Sequence, residues 1–146
     1  MNEELKIKSK WPIWRKLLVG FLSITGVIIA VSMPGLFWQL HEANKSLHDF
    51  ANALIAKDYS RAYGSTTPEF RAVTNYAAFV KLHEDLTLRM GELKNVEVDQ
   101  SEVREHRDGW KANLDANMVF ANGNLDFKFV LKKEDGLWKI NSYQEQ

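Results

Sequence analysis

The sequence contains no cysteine among its 146 residues. A chain without thiols forms no disulfide, builds no thiolate zinc site, uses no cysteine nucleophile and carries no lipid on a cysteine. The absence fits reducing and oxidising compartments alike, so it does not locate the protein. The fold must be held together by packing alone.

An excess of charge is also missing. The chain balances 19 Lys and Arg against 19 Asp and Glu, and residues 41–146 hold 14 Lys and Arg against 17 Asp and Glu. Binding to nucleic acid depends on a positive field that attracts phosphates. The composition therefore predicts no nucleic-acid partner.

One long stretch, the 24 residues from Leu17 to Leu40, has no charged side chain at all. A helix rises about 1.5 Å per residue and needs roughly 20 apolar residues to cross the hydrocarbon core of a bilayer. The stretch therefore predicts a transmembrane helix over 17–40. This span divides the chain into a basic N-terminus at 1–16 and a single domain at 41–146.

Positive charge is concentrated before the predicted span. Five Lys and Arg precede it, whereas the twenty residues after it carry only Lys45 and Lys57. Positively charged flanks stay on the cytoplasmic side of a membrane. We therefore expect a single-pass protein of the cytoplasmic (inner) membrane, with its N-terminus in the cytoplasm and its C-terminal domain extracytoplasmic.

A cleaved export signal is the alternative to a retained anchor. The chain has a basic start, an apolar stretch and small residues at Ala30-Val31-Ser32, where a signal peptidase would cut after Ser32. Against cleavage, the apolar stretch continues as far as Trp38, beyond what a signal core needs. Both interpretations export the domain.

The first half of the domain shows the three-and-four apolar spacing of helices, which begins with Leu47, Phe50, Ala51, Leu54 and Ile55. We expect a first helix at about 43–57 that starts near Ser46, a short second helix ended by Gly64-Ser65, a third begun by Thr67-Pro68-Glu69 and a fourth capped by Thr74. Phe79 and His83 share one face of the fourth helix.

After Gly91 the apolar period changes to two, which is typical of half-buried strands. The dipeptides Asp108-Gly109, Asn122-Gly123 and Asp135-Gly136 are typical of tight hairpins. Helices followed by hairpin-connected strands predict an α+β domain whose helices cover one face of a curved antiparallel sheet. The inward-facing set on the two long strands comprises Trp110, Ala112, Leu114, Ala116, Met118, Phe120, Leu125, Phe127, Phe129 and Leu131.

Three segments within residues 43–143 stand out: the stretch Phe50 to Tyr63 with Lys57-Asp58-Tyr59 and Ala62-Tyr63, then Thr67-Pro68-Glu69-Phe70-Arg71, and late in the chain Asp135-Gly136-Leu137-Trp138-Lys139-Ile140. They resemble the cone-shaped domains of the nuclear-transport-factor-2-like (NTF2-like) superfamily. The resemblance is to membrane-anchored, uncharacterised bacterial members more than to any enzyme branch. It implies the same α+β fold, but the superfamily includes isomerases, dehydratases, ligand-binding modules and secretion components.

Enzymes of that superfamily place carboxylate or histidine side chains inside the cone, where burial tunes them for proton transfer. The predicted strand interiors offer no titratable group, which leaves His83 as the best candidate acid or base. The adjacent pairs His41-Glu42 and His48-Asp49 diverge on a helix, so we expect no metal and no cofactor. We predict no catalytic residue.

Aromatic side chains with polar tips can line a pocket for a small apolar ligand. The candidate ligand-binding residues are Tyr59, Tyr63, His83, Trp110 and Trp138. The sequence thus predicts a membrane-anchored extracytoplasmic binding or assembly module for an envelope protein partner or a small apolar ligand. The alternative is a small lyase or isomerase with its acid or base on a helix, which a carboxylate paired with His83 would favour.

Overall fold

The computed structural model describes residues 35–146 of the chain, and residues Phe37–Gln146 form one compact unit. Four helices are followed by four strands, which confirms the predicted α+β class and its order. The elements are α1 (described part 35–55), α2 (Tyr59–Gly64), α3 (Pro68–Val73), α4 (Tyr76–Met90), β1 (Leu93–His106), β2 (Gly109–Phe120), β3 (Gly123–Glu134) and β4 (Leu137–Glu145).

The four strands form an antiparallel meander in the order β1-β2-β3-β4. Alternate residues of β2 are buried from Ala112 to Phe120, and Leu114 lies opposite Phe129 while Ala116 lies opposite Phe127. The predicted strand phase is therefore right, because a shift of one residue would turn this whole set to the other face.

Helix α1 lies along the sheet and supplies one wall of the core. Its buried face consists of residues spaced three and four apart, as expected for a helix packed on one side. Two ion pairs connect this region to the rest of the domain. Glu42 of α1 accepts from Lys133 of β3 at 2.8 Å, and Lys57, just beyond the helix, pairs with Glu92, just before β1, at 3.1 Å. The buried residues are Ala43, Leu47, Phe50, Ala51, Ala53 and Leu54.

The predicted start of the first helix is wrong. Ser46 lies inside α1, and its hydroxyl donates to the backbone carbonyl of Trp138 at 2.7 Å. A serine with an acidic residue three positions later is typical of a helix start, but here the hydroxyl joins α1 to β4 instead. The helix already includes residues 35–45.

Of the predicted N-caps of α3 and α4, the first is confirmed and the second is wrong. The Thr67 hydroxyl accepts from the backbone N–H of Phe70 at 3.2 Å, as predicted for the start of α3. Helix α4 is capped by Asn75, whose side-chain oxygen accepts from Ala78 N–H at 2.8 Å. Thr74 instead closes α3, because its own N–H donates to the carbonyl of Phe70.

All three hairpins lie where turns were predicted, but two of the turns are shifted by one residue. Asp135 and Gly136 have φ of 51° and 78°, so this dipeptide is the two-residue turn itself. In the other hairpins the turn residues are 107–108 and 121–122, and the glycine follows the turn at Gly109 or Gly123. There the glycine supplies a positive φ as the first residue of the next strand.

Among residues 35–146, no helix combines the length and the apolar character needed to cross a membrane. Of the predicted span 17–40, only residues 35–40 are described, and they are helical. The rest of the span, the N-terminus at 1–16 and the alternative cleavage after Ser32 lie outside the described residues. The anchor stays a prediction.

Candidate functional site

His83 lies inside the domain, surrounded by aromatic rings. Only 6% of its surface is exposed, because α4 turns this residue and Phe79 toward the sheet. The imidazole lies edge-on to Phe79, with ring centroids 4.6 Å apart, and stacks on Tyr59 at 6.4 Å. Phe50 of α1 and Tyr143 of β4 complete what we call the His83 cluster, which comprises His83, Tyr143, Phe50, Phe79 and Tyr59.

One polar contact joins two members of this cluster. Nε2 of His83 lies 2.8 Å from the hydroxyl oxygen of Tyr143, a hydrogen bond in which either group can be the donor, depending on the imidazole tautomer. The contact connects the centre of α4 to the end of β4. It gives each of these two polar groups a hydrogen-bond partner in an otherwise apolar cluster.

Burial keeps both partners neutral. It lowers the pKa of His83 from 6.5 to about 4 and raises the pKa of the Tyr143 phenol. Neither shift has a charged neighbour as a cause, and Glu84 and Asp85, which follow His83 along α4, are exposed. In the described part of the chain the buried polar side chains are Thr66, Thr67 and His83, so no buried carboxylate accompanies the imidazole.

The space beside His83 is too small for an organic ligand. A cavity of about 20 Å³ lies between α1, α4 and the start of β1, where Tyr59, His83 and Leu86 contribute to its wall. That volume holds about one water molecule, whereas pockets for small organic ligands span roughly 300–1,000 Å³. The cone is therefore filled by its own side chains at this point.

A larger open space lies on the other side of Tyr143. We call it the α4 groove; it measures about 320 Å³ and is lined by Leu82, Asp85, Leu86, Arg89, Phe127, Tyr143, Gln144 and Glu145. Leu82 is 45% exposed there. The guanidinium of Arg89 bonds to the carboxylate of Glu145 at 3.0 Å and joins α4 to β4 at the rim.

The five predicted ligand-binding residues do not form one site. Tyr59 and His83 contact each other, and Tyr63 adjoins the same region through Phe79, with ring centroids 5.4 Å apart. The Tyr63 hydroxyl is engaged elsewhere, since it donates to the carbonyl of Thr74 at 2.8 Å.

The two tryptophans lie toward the opposite end of the sheet. Trp110 is half-buried near the start of β2, opposite Glu105 of β1. Trp138 is buried, and the ammonium group of Lys133 lies 5.9 Å from its ring centroid. The predicted roles of these residues in ligand binding remain predictions.

Tyr143 is the site residue that sequence reasoning missed. Ile140 pairs with Leu131 but Ser142 pairs with Val130, so Asn141 is an extra residue in β4. Such a bulge reverses which side chains face inward beyond it. Strict alternation from Ile140 would bury Ser142, whereas the bulge turns Tyr143 inward. An aromatic residue between the polar residues 142 and 144 is the one signal that could have revealed it.

Within residues 35–146, no three His, Asp or Glu side chains come together as a set of metal ligands. The pairs His41-Glu42 and His48-Asp49 lie on α1, and Glu42 is engaged by Lys133. That hydrogen bond holds the pKa of Glu42 below its usual range.

Solved structures share this fold at low sequence identity. A protein of unknown function with a cystatin-like fold from Nostoc punctiforme is 11% identical at a TM-score of 0.55, with 71% of this chain and 86% of that chain covered. A protein named Rd1NTF2_05 is 13% identical at a TM-score of 0.50, with 71% and 96% covered. The similarity confirms the NTF2-like, cystatin-like fold and goes no further.

A third similar structure is a longer protein. Bd1075 from Bdellovibrio bacteriovorus is 13% identical at a TM-score of 0.51 over 70% of this chain, and the chain spans 38% of the length of Bd1075. No protein-family model and no curated protein matches the sequence.

Proposed function

We propose that this domain is a binding or assembly module, held outside the cytoplasm by the span predicted over 17–40, and that its partner is another protein of the cell envelope. The observation that carries the proposal is the filled interior. A cavity of about 20 Å³ next to His83 leaves no room for a substrate. We therefore assign recognition to the larger and open α4 groove.

The α4 groove is the surface that suits a protein partner. Its floor is apolar where Leu86 and Phe127 lie, and its rim carries Asp85, Arg89 and Glu145. An apolar centre with a charged rim is the usual anatomy of a specific interface. The Arg89–Glu145 pair is exposed on both sides, so a partner can exchange it for its own charges at little cost.

One observation favours the alternative, a small lyase or isomerase. The hydrogen bond between His83 and Tyr143 joins an imidazole to a residue that also lines the α4 groove. A molecule in the groove would meet the ring of Tyr143, and Tyr143 could pass a proton to the imidazole. Without a carboxylate beside it, however, the imidazole lacks the partner that orients and strengthens a catalytic base.

The experiment places a photo-crosslinking amino acid in the groove of the full chain, in cells that make it. Position Leu82 is 45% exposed and lies in the groove, so we expect an adduct of defined mass with one envelope protein. Arg89→Glu should weaken that adduct, because it reverses a charge at the rim. Leu88 lies on the same helix, is 85% exposed and does not line the groove, so a crosslinker there is the matched control.

Three results separate the two functions. An adduct at Leu82 that Arg89→Glu reduces, and that His83→Gln leaves intact, supports the binding module. No adduct at Leu82, or equal adducts at Leu82 and Leu88, contradicts the groove as the binding surface. Loss of cellular function in His83→Gln, at unchanged abundance and melting temperature, supports the enzyme instead.

A further inference from the structure

Two of the three hairpin turns lie at the same end of the sheet as residues 39–42 of α1. The turns at 107–108 and 135–136 are side by side, because Lys111 of β2 pairs with Lys132 of β3 next to them. The amine of Lys133 reaches α1, where it donates to Gln39 and Glu42 at 2.8 Å each. We call this the two-turn end of the domain.

The far end of the domain carries the third turn. The C-terminal residue of α4, Met90, accepts a hydrogen bond from the N–H of Asn122 in the turn between β2 and β3. Strand β2 joins the two ends, and its 12 residues span about 37 Å at the usual antiparallel rise of about 3.4 Å per residue. If one end of the domain touches a surface, the other end therefore lies far from that surface.

Large apolar side chains are exposed at the two-turn end. Phe37 is 74% exposed and Trp38 61% exposed, and they directly precede Gln39, which accepts a hydrogen bond from Lys133. Leu137 follows the turn at 135–136 and is 65% exposed. The exposed pair in α1 belongs to the uncharged stretch 17–40.

The two ends also differ in charge, and the far end is the more acidic one. Segments 104–111 and 132–139, which contain the two turns, hold six Lys and Arg against four Asp and Glu, and Glu42 and Glu69, which pair with Lys133 and Lys132, make this end neutral. Segments 84–99 and 115–128, toward the far end, hold three against seven. Basic groups are attracted to anionic headgroups and acidic groups are repelled by them.

We infer that the two-turn end is a membrane-contact surface, which lies against the outer face of the bilayer with Leu137 among the lipid headgroups. The inference rests on the anchor of the proposed function, because the span must end beside this surface. Trp38 lies at the level where indole rings favour the interface. The α4 groove borders Tyr143 and Glu145 at the end of β4, away from the two-turn end, so contact with lipid leaves it open to a partner.

The absence of cysteine permits a direct test on the full chain. Leu137→Cys and Leu88→Cys each introduce one thiol at an exposed position, for labelling with an environment-sensitive fluorophore. Each labelled protein is reconstituted into vesicles of phosphatidylethanolamine and phosphatidylglycerol, with or without lipids that carry a spin label near the headgroup. Leu88 lies near the far end of the domain, which makes it the matched control.

We expect the spin-labelled lipids to remove roughly half or more of the fluorescence at position 137, because an interfacial side chain lies about 5–10 Å into the headgroup region. Fluorescence at position 88 should be unchanged. A label at 137 that remains unquenched while the chain resists alkaline extraction shows an anchored domain that stands away from the bilayer, which overturns the inference.

Two other outcomes are distinguishable. A label at 137 that is shielded from iodide but not quenched by lipid shows that a second copy of the chain covers the two-turn end, which also overturns the bilayer contact. Release of the chain by alkaline extraction contradicts the anchor itself. The failure of the proposed anchor and the failure of the surface inference are therefore read from different measurements.

Discussion

The imidazole of His83 and the phenol of Tyr143 are 60 residues apart in the chain, and their polar atoms lie 2.8 Å apart inside the domain. The contact is possible only when α4 has packed on the sheet and the bulge at Asn141 has turned Tyr143 inward. It therefore reports on the complete tertiary fold rather than on any single helix or hairpin.

Removing the phenolic hydroxyl should destabilise the domain. Tyr143→Phe keeps the ring but leaves the buried nitrogen of His83 without its partner, which typically costs about 1–3 kcal/mol. Chemical denaturation of the full chain in detergent, with the far-ultraviolet signal as readout, measures the difference. Tyr76→Phe is the control, because this ring is 46% exposed, and it should change stability little. Equal effects of the two substitutions would show that the hydrogen bond contributes nothing.

Stability should fall as the pH is lowered from about 6.5 toward 4. Burial holds the pKa of His83 at about 4, below the 6.5 of an exposed imidazole, so the unfolded chain takes up a proton that the folded chain refuses. The contribution is complete above pH 6.5, is lost through this window and amounts to about 3 kcal/mol at most. His83→Gln should flatten the pH dependence of the unfolding free energy between pH 4 and 6.5. An unchanged slope would assign the dependence to other groups.

A core truncation tests the assigned strand phase. Leu114 is fully buried and lies opposite Phe129, so Leu114→Ala should cost about 2–5 kcal/mol. The resulting melting temperature should lie well below that of the parent. Leu88→Ala removes the same atoms from a side chain that is 85% exposed and should have little effect.

Two glycines should respond to alanine in opposite ways. Gly91 has φ of 79°, and a Cβ there would lie 2.9 Å from the Cβ of Ala121, so Gly91→Ala should cost about 1–3 kcal/mol. Gly64 ends α2 with open space around it, and Gly64→Ala should leave stability equal or raise it by up to about 1 kcal/mol. Thermal melting of both variants provides the comparison, and a loss in Gly64→Ala equal to that in Gly91→Ala would contradict it.

The predicted topology can be tested independently of the domain. A reporter enzyme that is active only outside the cytoplasm is fused after Gln146, and the mass of the mature protein is measured. Positive charge before the span predicts an active reporter and a chain of full length. An inactive reporter contradicts the orientation, whereas a mass that corresponds to cleavage after Ser32 contradicts the anchor and leaves export intact.

Periodicity in the sequence was enough to predict the sheet and the core. Alternation in β2 and β3 placed Leu114 and Phe127 inside, and the spacing in α1 placed Phe50 and Leu54 against them; all four are buried. These signals are local, because each strand joins the next through a tight hairpin. Local patterns therefore determine most of this fold.

The site could not be predicted in the same way, because it depends on contacts between distant segments. Ser46 was predicted to start a helix, but its hydroxyl bonds to the carbonyl of Trp138 in β4. Tyr143 was not among the predicted site residues, and it faces inward because of the bulge at Asn141. The only local mark of the bulge is the aromatic Tyr143 between Ser142 and Gln144. His83 was placed inside correctly, but its partner was not foreseen.

The position of α1 has a consequence for biosynthesis. The Ser46 hydroxyl of α1 donates to the carbonyl of Trp138 in the last strand, 92 residues later in the chain. If the chain is exported from its N-terminus onward, α1 leaves the membrane before β4. Until β4 is exported, Leu47 and Phe50 of α1 stay exposed to solvent. We expect the newly exported helix to be a target for chaperones and proteases during this interval. A chain cut short before β4 should be degraded even though all its helices are intact.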